Sequence, residues 1–409
     1  MRQLAVLALL LAALLTRGLA ARAGEEKSEK YAENYLFGDW GGLRTSLDEQ
    51  GLKAKLLLIT DPYGNTTGGK ATGFTIYNLL AADLFLDSQK LLGLPGGTFQ
   101  VGFSANFGSQ LSANVIGNTF PVQGSDTAPP GPRLTTVSYT QSLFNDRLSL
   151  RVGRLTIDNL YTVEFAGSEY FRQFTTQAID DAPFSLFYNP AGVPGYPETT
   201  WGARVRYQAR DDLYVMAGVY NADPSVLLPS RHGLDFTLNG PAYAIAELGW
   251  QRNQTPQASG LPGNLKLGAY RRAGAATDGG RQGFYLVADQ ALTRLGAREE
   301  GRQLGVFGSL VTTPNPAVNP MPFFFMTGLV ATGPLASRPK DVLALGVAYG
   351  GYSAEVRPRV SELTLELSYA LQLLPGLTLQ PGLQLLVHPG GDPATPTALA
   401  AGVNAVISF

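Results

Sequence analysis

From Ser361 to its end at Phe409 the chain reads SELTLELSYALQLLPGLTLQPGLQLLVHPGGDPATPTALAAGVNAVISF. Every second residue from Leu363 is apolar (Leu363, Leu365, Leu367, Tyr369, Leu371), with Glu362, Thr364, Glu366, Ser368, Ala370 and Gln372 between them. After Pro375-Gly376 the alternation resumes on Leu377, Leu379, Leu383, Leu385 and Val387, with Thr378, Gln380, Gln384 and His388 on the other parity. A period of two sustained this long means strands with one apolar and one wet face. Soluble strands most often have about five or six residues, whereas a strand crossing a bilayer needs roughly nine to eleven. These strands are of the longer kind, and the pattern favours a transmembrane β-barrel over a soluble sandwich.

The start of the chain agrees. Met1 to Ala23 has the form of a secretory signal: Arg2, an apolar run from Leu4 to Leu15, and the small-x-small site Ala21-Arg22-Ala23. The run is too short for a spanning helix, and no later stretch approaches eighteen uninterrupted apolar residues. The chain carries a formal net charge of −1, and three of its arginines lie in the first 23 residues, so the remainder is more acidic still. That balance argues against nucleic acid as a partner. The absence of Cys removes disulfide frameworks and thiol metal sites.

Residues 24–51 read as an N-terminal periplasmic segment in which Asp39 caps a short helix carrying Leu43 and Leu47 and stopped at Gly51. The remainder, 52–409, reads as an all-β, antiparallel up-and-down barrel. Candidate strands fall near 52–61, 72–86, 98–109, 134–144, 147–155, 200–209, 212–220, 242–252, 263–272, 281–292, 302–313, 321–332, 340–350, 360–373, 376–388 and 397–409. That is about sixteen, an even number as single-chain bacterial barrels require. Tight turns at Asn145-Asp146, Arg210-Asp211 and Pro375-Gly376 alternate with long connections at 110–133, 156–199 and 221–241, as in an up-and-down barrel. Segments 87–97 and 293–301 are medium-length exceptions on the short side. Phe99, Val101, Phe103, Ala105 and Phe107 are expected to face lipid, with Gln100, Gly102, Ser104, Asn106 and Gly108 inside. A barrel of this size is too wide for side chains to fill and encloses water, which implies a passive pore.

At GDWGGLRTSLDEQG, residues 38–51, the chain resembles the carbohydrate-selective porins of the OprB family. Further fragments of the resemblance are VGRL at 152–155, Pro197 followed by WGARVRY at 201–207, and AGVYNADP at 217–224. AELGWQ at 246–251, LPGNLKLGAY at 261–270, GFYLVADQAL at 283–292, TGPLASRPKD at 332–341 and LTLQPGLQLLVHPGG at 377–391 follow in order. The resemblance implies a sixteen-stranded outer-membrane barrel through which sugars diffuse inward. One departure stands out: the family commonly has an acid after the proline of its LQP segment, where this chain has Gly382. Pro381 cannot donate a ladder hydrogen bond, so a bulge or local gap is expected there.

A pore that favours sugars needs charged and amide groups to replace lost water, together with aromatic surfaces. Parity places Arg151, Arg204, Arg206, Lys266 and Arg272 inside, opposite Glu247, Glu362 and Glu366, and two such ladders would set a transverse field. Arg154 joins this candidate pore-lining set, although its parity points outward and places it at the rim beside the loop. A wet lumen also tolerates charges that have no role in selection. The loop over 155–199 is the expected constriction, because loops of this length in compact folds are functional or disordered. Tyr161, Phe165, Tyr170, Phe171 and Phe174 are its stacking candidates, the phenylalanines equally suited to packing the loop against the wall.

The sequence therefore predicts an outer-membrane porin for passive diffusion of mono- or oligosaccharides. A general small-solute pore is the alternative. Terminal Phe409, with Ile407 two residues before it, reads as the signal for the barrel-assembly machinery and faces outer-membrane lipid. No enzymatic motif, metal cluster or phosphate loop is recognisable, so neither catalysis nor a cofactor is expected.

Overall fold

The computed structural model of the protein describes residues 25–127, 130–255, 258–274, 281–356 and 359–409. The expected export signal lies outside the described residues. Sixteen strands close into a barrel in sequence order, with β1 paired to β16. They are β1 (Leu52–Thr67), β2 (Gly73–Asp87), β3 (Gly97–Gly108), β4 (Gly131–Leu143), β5 (Leu148–Leu155), β6 (Thr200–Arg210), β7 (Leu213–Asn221) and β8 (Ala242–Arg252). The second half comprises β9 (Gly263–Arg272), β10 (Arg281–Arg294), β11 (Gln303–Thr312), β12 (Phe323–Thr332), β13 (Val342–Gly351), β14 (Ser361–Leu374), β15 (Leu377–Val387) and β16 (Ala398–Ser408).

The largest difference from the sequence-based boundaries is the end of β1. The expected strand ends at 61, just before Pro62, yet the observed one runs on to Thr67. Pro62 is accommodated because the β1–β16 pairing skips from Thr60↔Ala405 to Tyr63↔Gly402 without changing register. Pro381 behaves alike: the β14–β15 ladder skips between Ser368↔Gly382 and Leu371↔Leu379, again in register. The expected irregularity at Pro381 is thus a gap and not a bulge.

Alternation sorts the faces as period two requires. Phe99, Phe103 and Phe107 are exposed on the outer surface, while Gln100, Ser104 and Asn106 of the same strand are buried inside. On β6, Ala203, Val205 and Tyr207 are exposed and Arg204 and Arg206 are half-buried. The outward set forms an apolar belt continued by Leu265, Leu267, Leu343, Leu345, Leu365, Leu367, Leu383 and Leu385, as a lipid-facing barrel wall needs.

The N-terminal segment forms helix α1 (Glu25–Asn34) and, after a 3₁₀ turn at Trp40–Gly42, helix α2 (Leu43–Glu49). The cap position of α2 is Gly42 and not Asp39; Asp39 opens the preceding 3₁₀ turn, and its carboxylate reaches across to accept from Thr45 N at 2.9 Å and Thr45 Oγ1 at 2.8 Å. The Arg44 guanidinium lies 3.9 Å from the Tyr35 ring centre and 4.0 Å from that of Trp40. Leu36 N donates to Ser408 O at 2.8 Å, and Phe37 packs against Phe409 with ring centres 5.6 Å apart. The segment is thereby fastened to the base of the last strand.

Inside the barrel the structure departs from a uniformly wet lumen. Phe307, Val311, Phe324, Met326 and Val330, all inward on β11 and β12, join a buried cluster with Phe120, Phe165, Phe171, Phe174 and Ile179 from two long connections. Both of those connections fold back into the barrel and give one side of its inner wall an apolar core.

Candidate functional site

The connection 156–199 enters the lumen because the wall offers it partners at every stage. Arg151 and Arg204 are directly opposed across the β5–β6 ladder, a like-charge pair that is destabilising alone. Glu164 of the loop lies between them, its Oε1 3.1 Å from Arg151 Nη1 and its Oε2 3.5 Å from Arg204 Nε. Next along the loop, Ala166 N donates to Glu247 Oε2 at 2.7 Å, and Gly167 O accepts from Lys266 Nζ at 2.8 Å. Ser168 Oγ then donates to Asp289 Oδ2 at 2.7 Å. Phe171 and Phe174 pack edge-on against Phe307, with ring centres 5.2 and 5.4 Å apart. Asn189 finally exchanges two 2.8 Å hydrogen bonds with the backbone of Met321.

Residues 109–127 of the preceding connection enter beside it. Phe120 packs edge-on against Phe324 and Phe184, at 5.8 and 5.2 Å. Gln123 Nε2 donates to Asp61 O at 2.7 Å, and Asn106 Nδ2 donates to Ser125 O at 3.0 Å. The two connections pair with each other through Gly124 N to Thr175 O at 2.7 Å and Gln177 N to Pro121 O at 2.9 Å.

These contacts correct the expected pair of charge ladders. Glu247, Glu362 and Glu366 do point inward, but they are buried against the inserted loops and accept their backbone N–H groups. Their faces therefore carry no open-pore field. The physical reason is that a loop threaded through a lumen brings amide donors with it, and a carboxylate satisfies several at once. Lys266 is inward yet only 5% exposed, held by the loop carbonyl. Arg272 is inward at the outer end of β9, where its Nη2 donates to Ala222 O at 3.4 Å. Arg154 is not in the pore. It shares the outer face with Val137 and Trp201 and is 1% exposed beneath the 222–241 connection, donating to Thr199 O at 2.6 Å and to Asp235 O. Its guanidinium lies 5.1 Å from the Phe236 ring centre.

Arg151, Arg204 and Arg206 face the lumen as expected. Arg206 lies 4.2 Å over the Tyr214 ring and donates to Gln251 Oε1 at 3.3 Å. Of the aromatics, Phe165, Phe171 and Phe174 are buried packing residues. Tyr170 wedges against Gly305, where an added Cβ would stand 2.3 Å from its hydroxyl. Burial pushes that hydroxyl up to about 12. Tyr161 lines open space, and Phe174 reaches the same space at its edge. The Tyr161 hydroxyl donates to Asp83 Oδ2 at 2.9 Å, and Lys55 Nζ lies 4.1 Å from its ring centre.

The open space is a cavity of about 460 Å³ on the β1–β3 and β15–β16 side of the inserted loops. The wall contributes Lys55, Ile59, Asn106, Gln380 and Asn404; the loop contributes Asp158, Tyr161, Arg172, Asp180 and Asp181; Asn34 and Tyr35 reach it from the N-terminal segment. Burial raises Asp158 to about 6 even though Tyr196 N donates to it. Asp180 and Asp181 are held well above the ordinary carboxylate range, again chiefly by burial. Charged groups of both signs, amides and the aromatic rings of Tyr35, Tyr161, Phe174 and Tyr196 therefore share the space. Apart from Tyr161 and Phe174, and from Asn106 and Gln380, whose parity placed them on the wet face, sequence reasoning missed these residues. The Asp180-Asp181 pair and Glu164 lay in the flagged loop, but nothing in their spacing distinguished cavity from counter-ion. Gly382 faces inward, and a Cβ there would stand 2.9 Å from Tyr63 Oη, so the acid common in the family would need Tyr63 to shift.

Residues 77–409 match the family described as carbohydrate-selective porin, OprB family. Porin B of Pseudomonas aeruginosa is 27% identical, the match covering 95% of this chain and 93% of that protein. A putative porin, QuiX, of Acinetobacter baylyi is 24% identical over 92% of this chain and 93% of its own length. The high-pH structure of Pseudomonas putida OprB superposes with a TM-score of 0.83 at 25% identity, covering 92% of this chain and 99% of that one.

Proposed function

From the premise that the chain belongs to the carbohydrate-selective porins of the OprB family, and is an outer-membrane barrel for passive, sugar-selective diffusion, we propose that its selecting site is the cavity beside the inserted loops. The observation that carries this reading is the coincidence, in one cavity of about 460 Å³, of Tyr161, Lys55 and Arg172 with Asp158, Asp180 and Asp181. Carboxylates accept sugar hydroxyls, cations and amides donate to them, and the ring offers an apolar face to sugar C–H groups. Arg151, Arg204 and Arg206 are the positive side of the approach, with Glu164 as counter-ion to the first two. A channel works only if what binds also leaves, so affinity in the millimolar range, about −4 kcal/mol, suits the role.

The same proposal divides the chain into an export signal at 1–23, a periplasmic segment at 24–51 and the pore at 52–409, with 155–199 as constriction. Phe409 serves the barrel-assembly machinery and meets lipid at the periplasmic interface. Its deletion should lower outer-membrane yield; normal yield would refute that role.

The test of the pore is single-channel conductance in a planar bilayer with and without sugars. Neutral sugars should reduce the ion current, and the double variant Asp180→Asn with Asp181→Asn should weaken that block. Sugar that never reduces the current would favour a general diffusion pore. Block that survives both substitutions would move the sugar elsewhere on the wall.

A further inference from the structure

Two carboxylates four residues apart on the inward face of β14 hold both inserted connections. Glu366 is fully buried and receives four donors: Thr175 N at 2.9 Å and Thr175 Oγ1 at 3.1 Å on Oε1, and Thr176 N at 2.8 Å and Gln384 Nε2 at 3.2 Å on Oε2. Glu362, also fully buried, accepts from Thr119 N at 2.9 Å, Phe120 N at 3.0 Å, Gly390 N at 2.7 Å and Tyr352 Oη at 3.2 Å. Among the described residues neither forms an ion pair. Their charge is balanced by oriented N–H and O–H groups alone, and most of those belong to loops. A carboxylate can accept on every lone pair, which no neutral side chain of this size does.

Between the two anchors the loops are stitched together. Gln384, paired with Glu366 across the β14–β15 ladder, donates through Nε2 to Val122 O of one loop at 2.8 Å and to Thr175 Oγ1 of the other at 3.0 Å. Gly124 N to Thr175 O and Gln177 N to Pro121 O complete the seam. Neither loop can leave its anchor without breaking hydrogen bonds to the other.

We infer that Glu362 and Glu366 are the positioning residues of the constriction, and that the two inserted loops open and close as one body around Gln384. The inference rests on reading these loops as the waist of the pore, but its test needs no sugar. Hydrogen–deuterium exchange of the full chain in a lipid nanodisc reports the loop amides directly. Glu366→Gln keeps the shape and replaces one acceptor oxygen by a donor, so exchange at 175–177 should quicken about tenfold or more. Exchange in β15 and β16 should stay unchanged, which separates loop release from failure of the barrel. Glu362→Gln should quicken exchange at 119–124 and also at 175–177, which it does not touch. In the background of Gln384→Leu, adding Glu362→Gln should quicken 119–124 further but leave 175–177 as it is in Gln384→Leu alone, because the shared donor is gone. Single-channel conductance should rise in both Gln variants.

Unchanged exchange at 175–177 in Glu366→Gln overturns the positioning role. A response to Glu362→Gln confined to 119–124 while Gln384 is present overturns the single-body claim. Should either Gln variant fail to assemble, Gln384→Leu alone serves: it leaves both carboxylates intact and should quicken exchange at 122–124 and 175–177 together, and independent responses would again refute coupling.

Discussion

The two sides of the inner wall follow different rules. Along β1–β6 and β15–β16 the inward residues include many polar and charged groups, among them Lys55, Gln100, Arg151, Arg204, Gln380 and Asn404, beside a smaller buried cluster in which Tyr63, Leu386, Ala398 and Ala400 pack on Leu111, Ile116 and Val122. Along β11 and β12 they are Phe307, Val311, Phe324, Met326 and Val330, sealed under the loops. The first side still borders open space while the second is covered by protein, so the apolar-out, polar-in alternation of a porin strand is better kept on the first. The inner wall of this channel is thus in part a protein core, and its loops are held by burial as well as by charge.

The sharpest way to break this comparison sets one phenylalanine against another. Phe307→Ala removes a fully packed inward ring and should weaken loop docking by about 3 kcal/mol, read as faster amide exchange at 171–174 and a noisier, larger conductance. Phe103→Ala, on the lipid face, should change folding into bilayers by only about 0.5 kcal/mol and leave conductance as it was. Equal effects would mean that the inner cluster does not hold the loop.

On the polar side, Glu164→Gln should be nearly as severe. It leaves Arg151 and Arg204 opposed with side chains only 11% exposed, the situation of a buried pair deprived of one partner, about 3 kcal/mol. The loop should loosen near 164, and reversal potential should move toward anions because a negative charge is lost. A stable loop with unchanged selectivity would show that the arginines find other counter-ions.

Arg206→Gln should have a smaller effect. Arg206 stacks on Tyr214 and forms no ion pair among the described residues, so its removal should shift reversal potential toward cations without disturbing the loop. No shift would place it away from the narrow path.

The smallest effect should come from pH. Asp158, raised to about 6 by burial, gains a proton as pH falls from 7.5 to 5, and the cavity it shares with Asp181 and Arg172 loses one negative charge. Selectivity should drift toward anions over that interval. Asp158→Asn should show the drift already at pH 7.5 and a flatter profile below; an identical profile would exclude Asp158 as its source.

Sixteen strands, their order and most of their lipid-facing residues were legible in the chain, because side-chain period and turn chemistry are local and the bilayer imposes one rule on every outward position. The end of β1 was missed because Pro62 interrupts the strand pattern after Asp61; a skipped ladder pairing and the hydrogen bonds of Ser125 and Asn404 to Asp61 carry the strand through. Parity also told which charges point inward, but not what they meet there. Arg204 meets a counter-ion from forty residues earlier in the chain, and Glu366 meets amides from about one hundred and ninety residues away. Whether an inward residue borders water or a folded-back loop depends on contacts between segments distant in sequence, and no local pattern encodes them. The sequence by itself determined the barrel and its outer face; the tertiary structure alone decided which parts of the inner face border open space.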